Sequence, residues 1–115
     1  MVSRNEKQQK PSGKPSGKTP RWDFLTNHGH VLICVAHDPG IRLRDLADAV
    51  GITERAAHRI VSELVEAGYV LRERDGRRNR YEVKPELPLP HPLFRARQVG
   101  ELIKVLKPSI EGKTR

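Results

Sequence analysis

The chain has 115 residues, 36% of them apolar, 4% aromatic and 31% charged, with a net charge of +8. A chain this short has room for one small core, and its longest apolar run, VLICVA at 31–36, is far too short to span a bilayer. A single cysteine leaves no internal disulfide and the polar, basic start lacks the apolar stretch of a secretory signal, so a reducing cytoplasm is the expected setting.

Excess positive charge favours a polyanionic partner, nucleic acid first and a membrane surface second. Its distribution matters more than its sum. Residues 1–21, with a tandem PSGK, hold six Lys and Arg against one Glu, so they carry +5 and leave +3 for residues 22–115. This stretch has almost nothing to bury and is expected to be a disordered basic tail. It serves either as a solubilising extension or as a source of sequence-independent phosphate attraction.

Residues 22–84 are the expected domain. A first helix is predicted over 26–37, ended by Pro39 and Gly40 in HDPG. Leu25, His28, Leu32, Val35 and Ala36 share one arc of it, while Ile33 and Cys34 lie off that arc. The helix is thus apolar on more than one side, which a generous single core or a second subunit would each explain. Residues 43–50 place Leu43, Leu46, Ala47 and Val50 at helical spacing, a short amphipathic helix that Gly51 ends in a left-handed turn. Thr53 is the expected N-cap of a further helix running to about residue 67, with Ile52, Ala56, Ala57, Ile60 and Leu64 inward and Gly68 as its stop. YVLRER and RYEV, joined by DGRR, then predict a β-hairpin with Val70, Tyr81 and Val83 towards the core.

Residues 85–91 are rich in proline and predict an extended linker. A last helix is predicted over 92–107, with Pro92 at its first position and Leu93, Ala96, Val99, Leu102, Ile103 and Leu106 on one stripe. That stripe either folds back on the first helix or pairs with its counterpart in a second chain. The second is favoured, because the linker separates it from the body. Residues 108–115 are expected to be a flexible tail.

A short helix, a glycine turn and a longer helix make a helix-turn-helix. The outer face of the second helix carries the chemistry. Arg55, His58, Arg59 and Ser62 fall within an arc of roughly 100°, opposite the apolar stripe. Arg pairs with guanine O6 and N7, His and Ser suit either a base or a phosphate, and Thr53 at the helix start suits a phosphate. The hairpin adds a cationic tip, with Arg72, Arg74, Arg77, Arg78 and Arg80 against Glu73 and Asp75. A basic ribbon beside such a helix can reach the flanking backbone or minor groove.

The stretch LRDLADAVGITERAAHRIVSELVEAGYVLRERDGRRNRYEV resembles the winged helix-turn-helix domain of MarR- and ArsR-type transcription regulators, through its Ala47–Gly51 turn, its GYV and its DGRRNRY. The resemblance extends over residues 26–84. It implies a mainly α fold with a small β-hairpin and flanking N- and C-terminal helices. It further implies that Thr53, Arg55, His58 and Arg59 face the major groove, with Arg77 and Arg78 at the tip of the wing. The flanking helices are shorter than MarR-type proteins usually have, and the cysteine-rich metal motif of some ArsR-type sensors is absent.

The expected activity is therefore sequence-specific binding of double-stranded DNA by a homodimer, with Thr53, Arg55, His58, Arg59, Ser62, Arg74, Arg77, Arg78 and Arg80 as the contact set. The alternative is a winged-helix module that docks on an acidic protein; RNA ranks third, for want of an aromatic stacking surface. His30, Cys34 and His37 fall on one helical stripe beside Asp38, a spacing that zinc or copper would accept, but burial of a small apolar cysteine is the simpler reading and no metal is expected. No phosphate-cradling glycine loop, paired carboxylate or activated nucleophile stands out, so neither catalysis nor a cofactor is expected.

Overall fold

A computed structural model of the chain describes residues 19–109. Most of the expected basic tail, and most of the expected flexible end at 108–115, lie outside the described residues. Helix α1 (Asn27–His37) starts at Thr26, whose extended backbone and hydroxyl accept the chain as an N-cap, the oxygen taking the N–H of Gly29 at 3.1 Å. Five consecutive α1 residues, from Val31 to Val35, are buried. Val31, Leu32, Cys34 and Val35 join the main core. Ile33 and Cys34 lie in a groove with Leu25, Val50 and Leu106, so both flanks of α1 are lined by the chain itself.

Helices α2 (Leu43–Val50) and α3 (Glu54–Glu66) follow the expected pattern. Gly51 has φ of 86°, and the N–H groups of Gly51 and Ile52 both reach the Ala47 carbonyl, at 2.8 and 3.0 Å. A side chain in that left-handed conformation costs roughly 1–2 kcal/mol, so glycine sets the angle between the helices. Thr53 caps α3 by accepting the N–H of Ala56 at 3.0 Å. The inward stripe is Ala57, Ile60, Val61 and Leu64. Val61 is therefore core, and Ala56 only half-buried.

Strands β1 (Val70–Asp75) and β2 (Arg78–Val83) pair antiparallel, Val70 opposite Val83 and Asp75 opposite Arg78, around a turn at Gly76 and Arg77. Val70 and Tyr81 are buried and Val83 is half-buried. The Tyr81 N–H donates to the Pro39 carbonyl at 2.9 Å, which ties the hairpin to the loop between α1 and α2. Val31, Val35, Leu46, Val61, Val70 and Val99 are the most deeply buried large side chains, each stabilising by about 1.5–3 kcal/mol.

The C-terminal part departs from its expected form. Pro92 does begin a helical turn, with His91 capping the Leu93 N–H at 3.0 Å, but that turn is a 3-10 turn of three residues, Pro92–Phe94. The α-helix, α4, covers only Val99–Val105. Between them Gln98 is extended and bridges to Pro88, with the N–H groups of Leu89 and Val99 donating to Arg97 and Leu87, both at 2.9 Å. That bridge interrupts any helix running from residue 92. Nor is 85–91 a free linker: the Tyr69 hydroxyl donates to the Pro88 carbonyl at 2.8 Å and Leu89 packs on the core. Helix α4 folds back on α1, where the Ile103 carbonyl meets His37 Nε2 at 3.0 Å. Val99 enters the core while Leu93 stays exposed. Among the described residues no helix is long and apolar enough to cross a membrane.

Candidate nucleic-acid interface

The residues that point inward on α3 fix those that point outward. With Ala57, Ile60, Val61 and Leu64 buried, Arg55, His58 and Arg59 lie on the solvent side and are exposed; Ser62, on the same side, is half-buried. Among the described residues, no carboxylate forms an ion pair with Arg55 or Arg59. Two guanidinium groups thus stand exposed on the first half of α3, beside the exposed Glu54 of its first turn, where the helix dipole adds positive potential.

The second half of α3 is different. Glu63 and Glu66 are exposed there, and Glu63 is drawn to α1 by His28, with Oε1 2.6 Å from Nε2. The cationic surface of α3 is therefore confined to its N-terminal turns. Thr53 adds a qualification: its oxygen already accepts the cap hydrogen bond, and towards an anion such as phosphate it can only donate its hydroxyl hydrogen.

The hairpin register sorts the remaining arginines. Arg78 and Arg80 face Asp75 and Glu73 across the ladder, on one side of the ribbon. Arg72 and Arg74 share the other side with Asn79 and Tyr81. Arg78 donates to the Gly40 carbonyl, and Arg80 Nη1 lies 3.9 Å from where a Cβ on Gly40 would stand. These two lean on the α1–α2 loop. Arg74, and Arg77 at the turn, are exposed, with no ion pair among the described residues. Strand β1 packs on α3, which joins the ribbon to the basic helix.

The sequence of residues 25–70 matches the family described as winged helix-turn-helix DNA-binding. Together with the β1–β2 ribbon that follows it, this segment folds as a winged helix-turn-helix. In those terms α2 and α3 are the helix-turn-helix and the β1–β2 ribbon is the wing. Solved structures with similarity include MepR, a transcription regulator of the Staphylococcus aureus multidrug efflux pump MepA, at 22% identity over 54% of this chain and 48% of that one, with a TM-score of 0.46. PcaV from Streptomyces coelicolor, in complex with its natural ligand, gives 22% identity over 72% and 60%, with a TM-score of 0.47. ZitR from Lactococcus lactis, in complex with DNA, gives 11% identity over 73% and 66%, with a TM-score of 0.44. The chain spans 48% to 66% of the length of these regulators. No curated protein matches the chain.

His30, Cys34 and His37 are each held apart. His30 Nε2 meets Asp23 Oδ2 at 2.9 Å, His37 meets the Ile103 carbonyl, and Cys34 is buried. Among the described residues, no three His, Cys, Asp or Glu side chains are placed to hold a metal ion. The backbone N–H of Leu25, helped by His30, lowers the Asp23 carboxyl below its usual range. Burial, with the Asp38 charge, pushes the Cys34 thiol up, which disfavours the reactive thiolate. One basic residue escaped the sequence reading: Arg42, exposed at the start of α2, lines a cleft with Arg77, Arg78 and Asn79. Its signal was the RLR preceding an amphipathic helix, which has no distinguishing spacing of its own.

Proposed function

We propose that the chain is a cytoplasmic, sequence-specific double-stranded DNA-binding transcriptional regulator of the MarR/ArsR-like type, acting as a homodimer on a two-fold site, without enzymatic activity or cofactor. Helix α3 enters the major groove, with Arg55, His58, Arg59 and Ser62 towards base edges and Thr53 towards a phosphate. The wing, with Arg74, Arg77, Arg78 and Arg80, lies along the flanking backbone or minor groove. One observation carries the reading: unpaired, exposed arginines stand opposite the buried stripe of the helix that follows a left-handed glycine turn, within a segment that matches a DNA-binding family.

The test is direct. Fluorescence anisotropy with a random duplex at low salt should show binding without any chosen operator, weakening linearly in log affinity against log salt. Sequences selected from a random pool should share a two-fold consensus, and light scattering of the complex should give two chains per site. On a selected site Arg59→Ala should cost about 1–3 kcal/mol and relax preference at one base pair, whereas an equal loss on all duplexes would make Arg59 a phosphate contact. Absence of duplex binding at low salt would overturn the reading and favour an acidic protein partner instead.

A further inference from the structure

Between the start of α2 and the wing lies a cleft that the major-groove reading does not use. Its floor is Ile41 and Tyr81, both buried, and its rim carries Arg42, Arg77, Arg78 and Asn79. Leu43 completes the lining, so no carboxylate borders it among the described residues. Three guanidinium groups from two separate elements therefore converge on one concave surface, and among the described residues none of them forms an ion pair. Arg42 is the N-cap of α2 and makes no capping hydrogen bond, so the first N–H groups of that helix are unsatisfied by its side chain and the positive end of the helix opens nearby. Arg78 donates to the Gly40 carbonyl, which anchors its guanidinium at the cleft instead of leaving it to wander.

We propose that this cleft seats one phosphate of the DNA backbone, clamped between Arg42 on the helix-turn-helix and Arg77 on the wing, with Arg78 as the anchored third cation and Asn79 as a neutral donor. The inference rests on the DNA-binding reading above and adds a site to it. A phosphodiester suits the cleft better than a base edge: its oxygens match the fork of a guanidinium, and its negative charge, which a base edge lacks, meets the cations of the rim. The rim arginines are exposed, so the seat accepts a group that protrudes from a long polymer. Contacts of this kind carry no sequence information; they fix the register of the duplex so that Arg55 and Arg59 meet the same bases each time.

The experiment compares the full-length wild type with Arg42→Ala, Arg77→Ala and the double variant on random duplex across a salt series. Arg42 and Arg77 are exposed and make no ion pair among the described residues, so both substitutions should leave the fold intact by circular dichroism. Each single variant should weaken binding equally on all sequences and lower the slope of log affinity against log salt by no more than about 0.9, the value of one phosphate. The double variant should also lose about one phosphate and not two, because both arginines serve the same group. A duplex with one neutral methylphosphonate at the seated position should bind wild type more weakly, and the double variant should be blind to it. Wild-type affinity for every duplex in Arg42→Ala, or two phosphates lost in the double variant, would overturn the shared seat while leaving DNA binding intact. Inorganic phosphate competing better than chloride at equal ionic strength would make the cleft a free-anion site, which also overturns the proposal. A wild type that binds no duplex would remove both this proposal and the reading beneath it.

Discussion

The two helices of the helix-turn-helix and the C-terminal strap, residues 85–98 before α4, are held to the same core by different means. Helices α2 and α3 dock through buried side chains, Leu46 and Ala47 on one and Ala57, Ile60, Val61 and Leu64 on the other. The strap and α4 contribute few buried side chains, chiefly Val99, and are otherwise pinned by backbone hydrogen bonds around Pro85, Leu87 and Leu89. The first arrangement is a packed interior, sensitive to volume anywhere along the stripe. The second is a clasp, sensitive at a few points and indifferent elsewhere. For a helix with a basic outer face the first is the useful one, because exposed arginines are aimed only as well as the buried face behind them is fixed.

The largest effect should come from the interior. Leu46 is fully buried, so Leu46→Ala removes its packing and leaves a cavity, a loss of about 2–5 kcal/mol in urea denaturation. A loss below about 1 kcal/mol would mean that α2 is docked no more firmly than the strap.

That contrast also explains what could be read from the residues. The helix-turn-helix was legible because each local signal agreed with the others: Thr26 and Thr53 as caps, Gly51 as a left-handed turn, Leu46 and Ile60 in phase with a core. The hairpin was legible from DGRR between two β-rich runs. Periodicity misled from residue 92 onward, where three- and four-residue spacing continues through a segment whose backbone bonds are taken by the proline strap. A stripe reports helix only when nothing competes for the same N–H and C=O groups. In the site, the outward arc of α3 followed from the inward one. The leaning of Arg78 on Gly40 did not, because a contact across 38 residues has no sequence periodicity.

The clasp has its own weak point at Gly100. A Cβ there would stand 2.8 Å from Pro85 Cβ and 2.9 Å from the Pro85 carbonyl oxygen. Gly100→Ala gains roughly 0.5–1 kcal/mol of helix propensity but overpacks at a cost of about 1–3 kcal/mol, so a net loss is expected. Neutral or improved stability would show that the strap yields freely. Thr53→Ala should cost about 1 kcal/mol through loss of the α3 cap. Because that cap sits under the basic turns of α3, duplex affinity should fall along with the melting temperature; unchanged stability would mean that packing alone defines the start of the helix.

The smallest effect should be at Leu93, and it separates the two ways of covering the C-terminal stripe. Leu93 is 73% exposed in the 3-10 turn, whereas Val99, six residues on, is 2% exposed. In a lone chain Leu93→Ala therefore removes little packing and should change stability by less than about 0.5 kcal/mol. If two chains instead joined along a helix through Leu93, the same substitution would open a cavity in that interface, and the unfolding midpoint would depend on protein concentration. Denaturation of wild type and Leu93→Ala at two concentrations a hundredfold apart distinguishes the cases. Coincident midpoints mean that any dimer on DNA is built elsewhere than on this turn; a midpoint that rises with concentration in wild type and falls back in the variant would place Leu93 between the chains.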